Sequence, residues 1–153
     1  MKKSCFVLFI LFISLVVTIG LAAQSNDIID ALLAEEQASY GKAAYLALTA
    51  SGLITEEQSP EQALEVLKEQ GWKLDILTAA EPIKLGEYSF ILMKAFHIQG
   101  GVMYSIIPGP RYAGRELSYL GMILGSPSPY RTISGEEAVR ILGNILEWQE
   151  EGS

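Results

Sequence analysis

The order of apolar and polar positions divides the chain into two unequal parts. From Cys5 to Ala23 the side chains are apolar almost throughout and none is charged. After Asn26 the apolar residues recur at intervals of three and four, the signature of amphipathic helices. Ile28, Ile29, Leu32 and Leu33 share one face of a helix predicted over 26–33. A second helix, over 39–51, presents Ala44, Leu46 and Leu48 and stops at Gly52. Ser59-Pro60-Glu61-Gln62 is a helix start, with Ser59 placed to cap, Pro60 in the first turn and Gln62 able to complete a capping box. Ala63, Val66 and Leu67 then face inward until Gly71. Tyr88, Ile91, Leu92 and Ala95 mark a helix over 86–95 that ends by Gly100-Gly101. The apolar run Val102 to Ile107 reads as a short β-strand, a hairpin arm or an extended loop. Pro108-Gly109-Pro110 breaks the chain, and a helix is expected from Arg111 to about Ile123. A last helix opens at Ser134-Gly135-Glu136-Glu137, a second capping box, and carries Val139, Ile141, Leu142, Ile145 and Leu146 up to Trp148. The expected fold is mainly α, a compact bundle of short helices in repeated helix-turn-helix units over 24–148. A frayed tail is expected at 149–153.

Three helix starts look alike: Ser59 to Leu67, Lys84 to Leu92 and Ser134 to Leu142. Each has Glu or Gln at the fourth place and a β-branched residue followed by Leu at the eighth and ninth. Capped amphipathic helices resemble one another through shared physics, so the likeness reads equally as common capping rules or as a repeated unit. The openings Ile83-Lys84-Leu85-Gly86-Glu87 and Ile133-Ser134-Gly135-Glu136-Glu137 resemble S-layer homology modules, whose second helix opens Ile-Thr-Arg-x-Glu. That resemblance implies helix pairs packed around one another and a place in the cell envelope. The family's Thr-Arg pair, whose arginine helps bind anionic wall glycan, is replaced here by Lys84-Leu85 and Ser134-Gly135. The implied fold therefore carries over more readily than the implied glycan site.

The N-terminal run changes the compartment. Lys2-Lys3 before an uncharged stretch, closed by Gly20, Ala22 and Ala23, is the layout of a signal peptide over 1–23. The alternative is an uncleaved anchor, since nineteen apolar residues at about 1.5 Å each nearly span a bilayer core. Either way the working part lies outside the cytoplasm, periplasmic or secreted. Without residues 1–23 that part has no cysteine, because Cys5 is the only one. Disulfides, thiol chemistry and cysteine metal sites are thereby excluded, and the core must hold the fold alone. Eighteen acidic residues against eleven basic ones give a net charge of −7. This balance argues against nucleic acid or anionic lipid as the main partner, leaving membrane contact to residues 1–23 if they are retained.

Candidate chemistry concentrates in 97–116, where flexible glycines, stiff prolines, tyrosines and arginines meet. Arg111 and Arg115, four apart, share a face if helical. With Tyr112, Tyr104 and His97 they form a candidate surface for a carboxylate, a phosphate, a sugar face or a protein. The plainer alternative pairs Arg115 with a surface acid, packs the tyrosines at the core edge and leaves His97 as a helix-end residue. No catalytic group has a supporting context: one histidine makes no metal cluster, no serine sits in a nucleophile elbow, and Gly100-Gly101 lacks the spacing of a phosphate loop. No cofactor is implied. The expected function is a non-enzymatic envelope binding or structural module, with an envelope protein or cell-wall glycan as partner. The alternative is a small envelope hydrolase whose catalytic groups meet only in the fold.

Overall fold

The computed structural model describes residues 26–75 and 78–152. The expected export segment lies outside the described residues. Helical residues 26–33 form α1. The other helices are α2 (Tyr40–Ala50), α3 (Pro60–Glu69), α4 (Leu85–Ala95), α5 (Val102–Ile106), α6 (Pro110–Tyr119) and α7 (Gly135–Glu151). The protein is mainly helical, and among the described residues extended pairing is limited to isolated bridges at Ser39–Pro82 and Lys84–Thr132. No described helix is long and apolar enough to cross a membrane.

The helices form where periodicity and caps placed them. Ser59 closes a full capping box: its hydroxyl accepts from the Gln62 N–H, and its own N–H donates to the Gln62 carboxamide at 2.8 Å. Ser134 makes only half of one. Its hydroxyl accepts from Glu137 N–H, but the Glu137 carboxylate turns to Arg131, which grips it through two guanidinium nitrogens at 2.8 and 2.5 Å. A charged, forked donor outcompetes a backbone N–H for that carboxylate. The Glu137 carboxylate in turn holds the Arg131 guanidinium even more firmly protonated than usual, against the opposing effect of its partial burial.

α2 packs with α3, and α4 with α6, and α2 also touches α4 and α7. The entries to α2, α4 and α7 meet in a ring of backbone hydrogen bonds. Ile83 N–H donates to Ala38 at 2.9 Å, and Ala38 N–H donates to Ile133 at 2.7 Å. Two residues further on, Tyr40 N–H reaches Glu81 and Leu85 N–H reaches Arg131. Gly135 N–H closes the circle on Glu35. Ala38, Ile83 and Ile133 are all fully buried, so the ring seals the core at the helix N-termini. Extended residues just before each helix thus use each other as partners, satisfying N–H and C=O groups that burial would otherwise leave unpaired.

This ring changes the repeat. The equivalent starts are Ser39, Lys84 and Ser134; Ser59 instead opens α3, the outer helix of the first pair. The first unit escaped the pattern because Ala38 stands where the others have Ile, and Lys42 where they have Glu. The helix ends agree as well. Leu53 N–H bonds back to Leu48, Ile98 to Met93 and Met122 to Leu117, each a six-residue closure around a left-handed residue: Gly52, His97 and Gly121. α6 therefore stops at Tyr119, short of the expected Ile123.

The largest correction is at 102–107. Its β-rich residues form no strand or hairpin but the helix α5. Alternating burial would have placed Val102, Tyr104 and Ile106 on one side, yet only Tyr104 is buried. A contact from outside the segment accompanies the helix: the Glu116 carboxylate accepts from Gly101 N–H at 2.9 Å, and the Ser105 hydroxyl donates to Gly101 O at 3.0 Å. At the other end of the fold, α7 continues through Glu151, so helix covers most of the 149–153 tail. The Gln149 amide donates to Phe96 O across the end of α4.

Candidate functional site

α4, α5 and α6 bring most of the 97–116 candidates onto one arm of the molecule. Tyr104 anchors it. Its ring meets Phe90 of α4 edge-on, centroids 6.2 Å apart, and the residue is only 7% exposed. Gly100 is required beside it, because a Cβ there would fall 2.6 Å from the Tyr104 ring. The Tyr104 hydroxyl is buried and has no hydrogen-bond partner among the described residues. Burial, with the nearby Glu116 charge adding to it, pushes its phenol up to about 12.

Arg111 and Arg115 do share a helical face, one turn apart on α6, and both are exposed. Neither forms an ion pair among the described residues. Arg111 lies over the half-buried Tyr112 ring, 5.9 Å from its centroid. Tyr112 packs against the core and supports the arginine from below. His97 stands apart from this group. It is exposed, takes the left-handed backbone position that ends α4 (φ 54°), and makes no side-chain hydrogen bond among the described residues. Its geometry gives it a structural place as a helix terminator.

The feature absent from the sequence reading is the outer face of α5. Val102, Met103, Ile106 and Ile107 are 74%, 51%, 68% and 56% exposed. Val102, Met103 and Ile106 fall within one arc of α5 away from Tyr104, and Ile107 follows them at the helix C-cap. The amphipathic rule is inverted here, with aliphatic side chains turned to solvent. Beside them runs an open groove of about 470 Å3 lined by Trp72, Lys73, Phe90, Lys94, Ile106 and Pro108 among others. Lys94 reaches over the Phe90 ring at 5.6 Å. The signal was available as an apolar run between two breakers, but a run cannot say which way it will face.

A second cleft, about 170 Å3, opens where Tyr40 meets Asp75, Glu81, Lys84 and Glu87. The Tyr40 hydroxyl is also buried and has no hydrogen-bond partner among the described residues, and burial, then the Glu87 and Asp75 charges, push its titration upward. Among the described residues no cluster of His, Cys, Asp and Glu could hold a metal ion. Compared with protein-family models, curated proteins and solved structures, the chain matches none.

Proposed function

We propose that this chain is an exported envelope protein that works by binding rather than catalysis, and that the α5–α6 arm is its contact surface. The observation that carries the reading is the outward apolar face of α5. Burying one such aliphatic side chain fully is worth about 1.5–3 kcal/mol, and the fold leaves four of them largely in water. An exposed aliphatic group of this kind, framed by polar residues, is the usual mark of a surface that meets a partner. Arg111 and Arg115 add charge on the neighbouring α6 and form no ion pair among the described residues.

The compartment rests on Lys2-Lys3 and the uncharged run after them. The likeness to S-layer homology modules rests on the openings Ile83 to Glu87 and Ile133 to Glu137, and it implies packed helix pairs. The arginine that serves glycan binding in that family has no counterpart here, so the contact is assigned to the arm instead.

The test is capture from the envelope fraction with the parent protein and with Arg111→Ala/Arg115→Ala. The expected result is one enriched partner that the double variant loses while its melting temperature stays within a degree or two. Collapse of melting would make the arginines structural and would end the assignment.

A further inference from the structure

The charges of this chain are segregated. Eighteen acidic residues outnumber eleven basic ones, yet no Asp or Glu occurs between Tyr88 and Arg115. Lys94, His97, Arg111 and Arg115 all lie in that stretch. The first acid after it, Glu116, is engaged with the N–H of Gly101. A net charge of −7 therefore misdescribes the arm, which is aliphatic and cationic.

The fold sharpens this. On one side of α5, Lys73 and Lys94 line the groove that Ile106 and Ile107 also line. α6, which follows after Pro108-Gly109-Pro110 and touches α5, carries Arg111 and Arg115. The aliphatic face projects from a helix of five residues. Trp72 stands half-buried at the edge of the groove, an amphipathic ring at a boundary between apolar and wet surface.

We propose that α5 docks on an anionic lipid surface, with Val102, Met103, Ile106 and Ile107 entering the acyl boundary and Lys94, Arg111 and Arg115 meeting headgroup phosphates. This rests on the reading of the arm as the contact surface and names its partner. A nucleic acid would match the cations but not four exposed aliphatics. An exposed aliphatic face with Lys94 in the groove beside it and Arg111 and Arg115 on the neighbouring α6, where the one acid, Glu116, is bound to the Gly101 N–H, matches the headgroup–acyl boundary, which is apolar below and negative above. The acidic remainder of the molecule is repelled by such a surface, but salt screens that repulsion beyond roughly 8–10 Å, whereas the arm is in contact. The domain must then stand on the membrane arm-first.

The test uses the full chain with Trp148→Phe, which leaves Trp72 as the reporter in the groove. Trp72 fluorescence is read on brominated vesicles of equal parts phosphatidylcholine and phosphatidylglycerol, and on brominated phosphatidylcholine alone. Bromine quenches indole only at close range. A retained N-terminal segment tethers parent and variants alike, so the quenching is read as the difference between them. The expected result is quenching on the anionic vesicles only, lost in Ile106→Glu/Ile107→Glu. Arg111→Ala/Arg115→Ala should weaken it roughly 25-fold, about fivefold for each cation. Equal quenching on both vesicle types, or quenching indifferent to the Ile106/Ile107 change, overturns the proposal. If no quenching occurs and a photo-crosslinker at Ile106 instead marks one envelope protein or a second copy of this chain, the lipid assignment fails while the contact surface stands. If neither occurs, both fail.

Discussion

The Tyr88 hydroxyl donates to the carbonyl oxygen of Ala138 at 3.0 Å, joining α4 to α7 across fifty positions of sequence in a fully buried part of the core. The two residues sit just inside two of the helix entries that form the ring. Tyr88→Phe keeps the ring volume and deletes the bond, leaving Ala138 O with its helical partner. A loss of about 0.5–1.5 kcal/mol in denaturant unfolding is expected. No loss would mean that the helices are registered by packing alone.

Gly135 marks where the ring is tightest. A Cβ at this position would lie 1.7 Å from the carbonyl oxygen of Leu32 and 2.5 Å from its carbonyl carbon, both backbone atoms. Gly135→Ala must push α1 away from α7 and is expected to cost several kcal/mol, well above the ordinary scale of about 1 kcal/mol for point changes. Gly143, further along the same helix, has nothing within 4 Å of its Cβ position. Gly143→Ala is expected to stabilise by about 0.5–1 kcal/mol. Thermal melts of the two variants should move in opposite directions.

His97 occupies the left-handed position that Gly52 and Gly121 fill at the ends of α2 and α6. A side chain there is strained, so His97→Gly should raise stability by about 0.5–1 kcal/mol if the residue only terminates α4. A matching loss of partner capture in that variant would show that the imidazole takes part in binding.

Alkaline pH should unfold the protein through its buried phenols. The Tyr104 titration is raised from 10.0 to about 12, so the neutral phenol is the form the fold prefers. A raised value contributes stability that is complete below the unfolded value and is lost as pH rises through the folded one. Stability should therefore fall between pH 10 and about 12, with Tyr40 and Tyr88, shifted in the same direction by burial, adding to the loss. Tyr104→Phe should flatten that fall while leaving stability at neutral pH unchanged or slightly higher, because its hydroxyl has no partner to lose.

Most of the helical plan was legible before the structure. Ser59 with Gln62, and Tyr88, Ile91 and Leu92 at helical spacing, are local signals that need no tertiary partner. The misreadings share one physical cause. Val102 to Ile107 follows strand propensity only until Glu116, fifteen residues away, caps the Gly101 N–H. Ala38-Ser39-Tyr40 joins the ring through backbone bonds to Ile133 and Glu81, which depend on proximity and not on side-chain identity. Among the site residues, the shared face of Arg111 and Arg115 followed from their spacing alone. The solvent-facing aliphatics of α5 did not, because only the packing of Tyr104 on Phe90 decides which side of that helix turns outward.

The α5–α6 arm is proposed as the place where this protein meets its partner. It is tested most directly by placing a photo-crosslinking residue at Met103, and separately at Glu65 on α3, and irradiating intact cells. A discrete adduct at Met103 is expected, protein or lipid, diminished by Arg111→Ala/Arg115→Ala and absent at Glu65. No adduct at Met103, or the same adducts at both positions, would contradict the account.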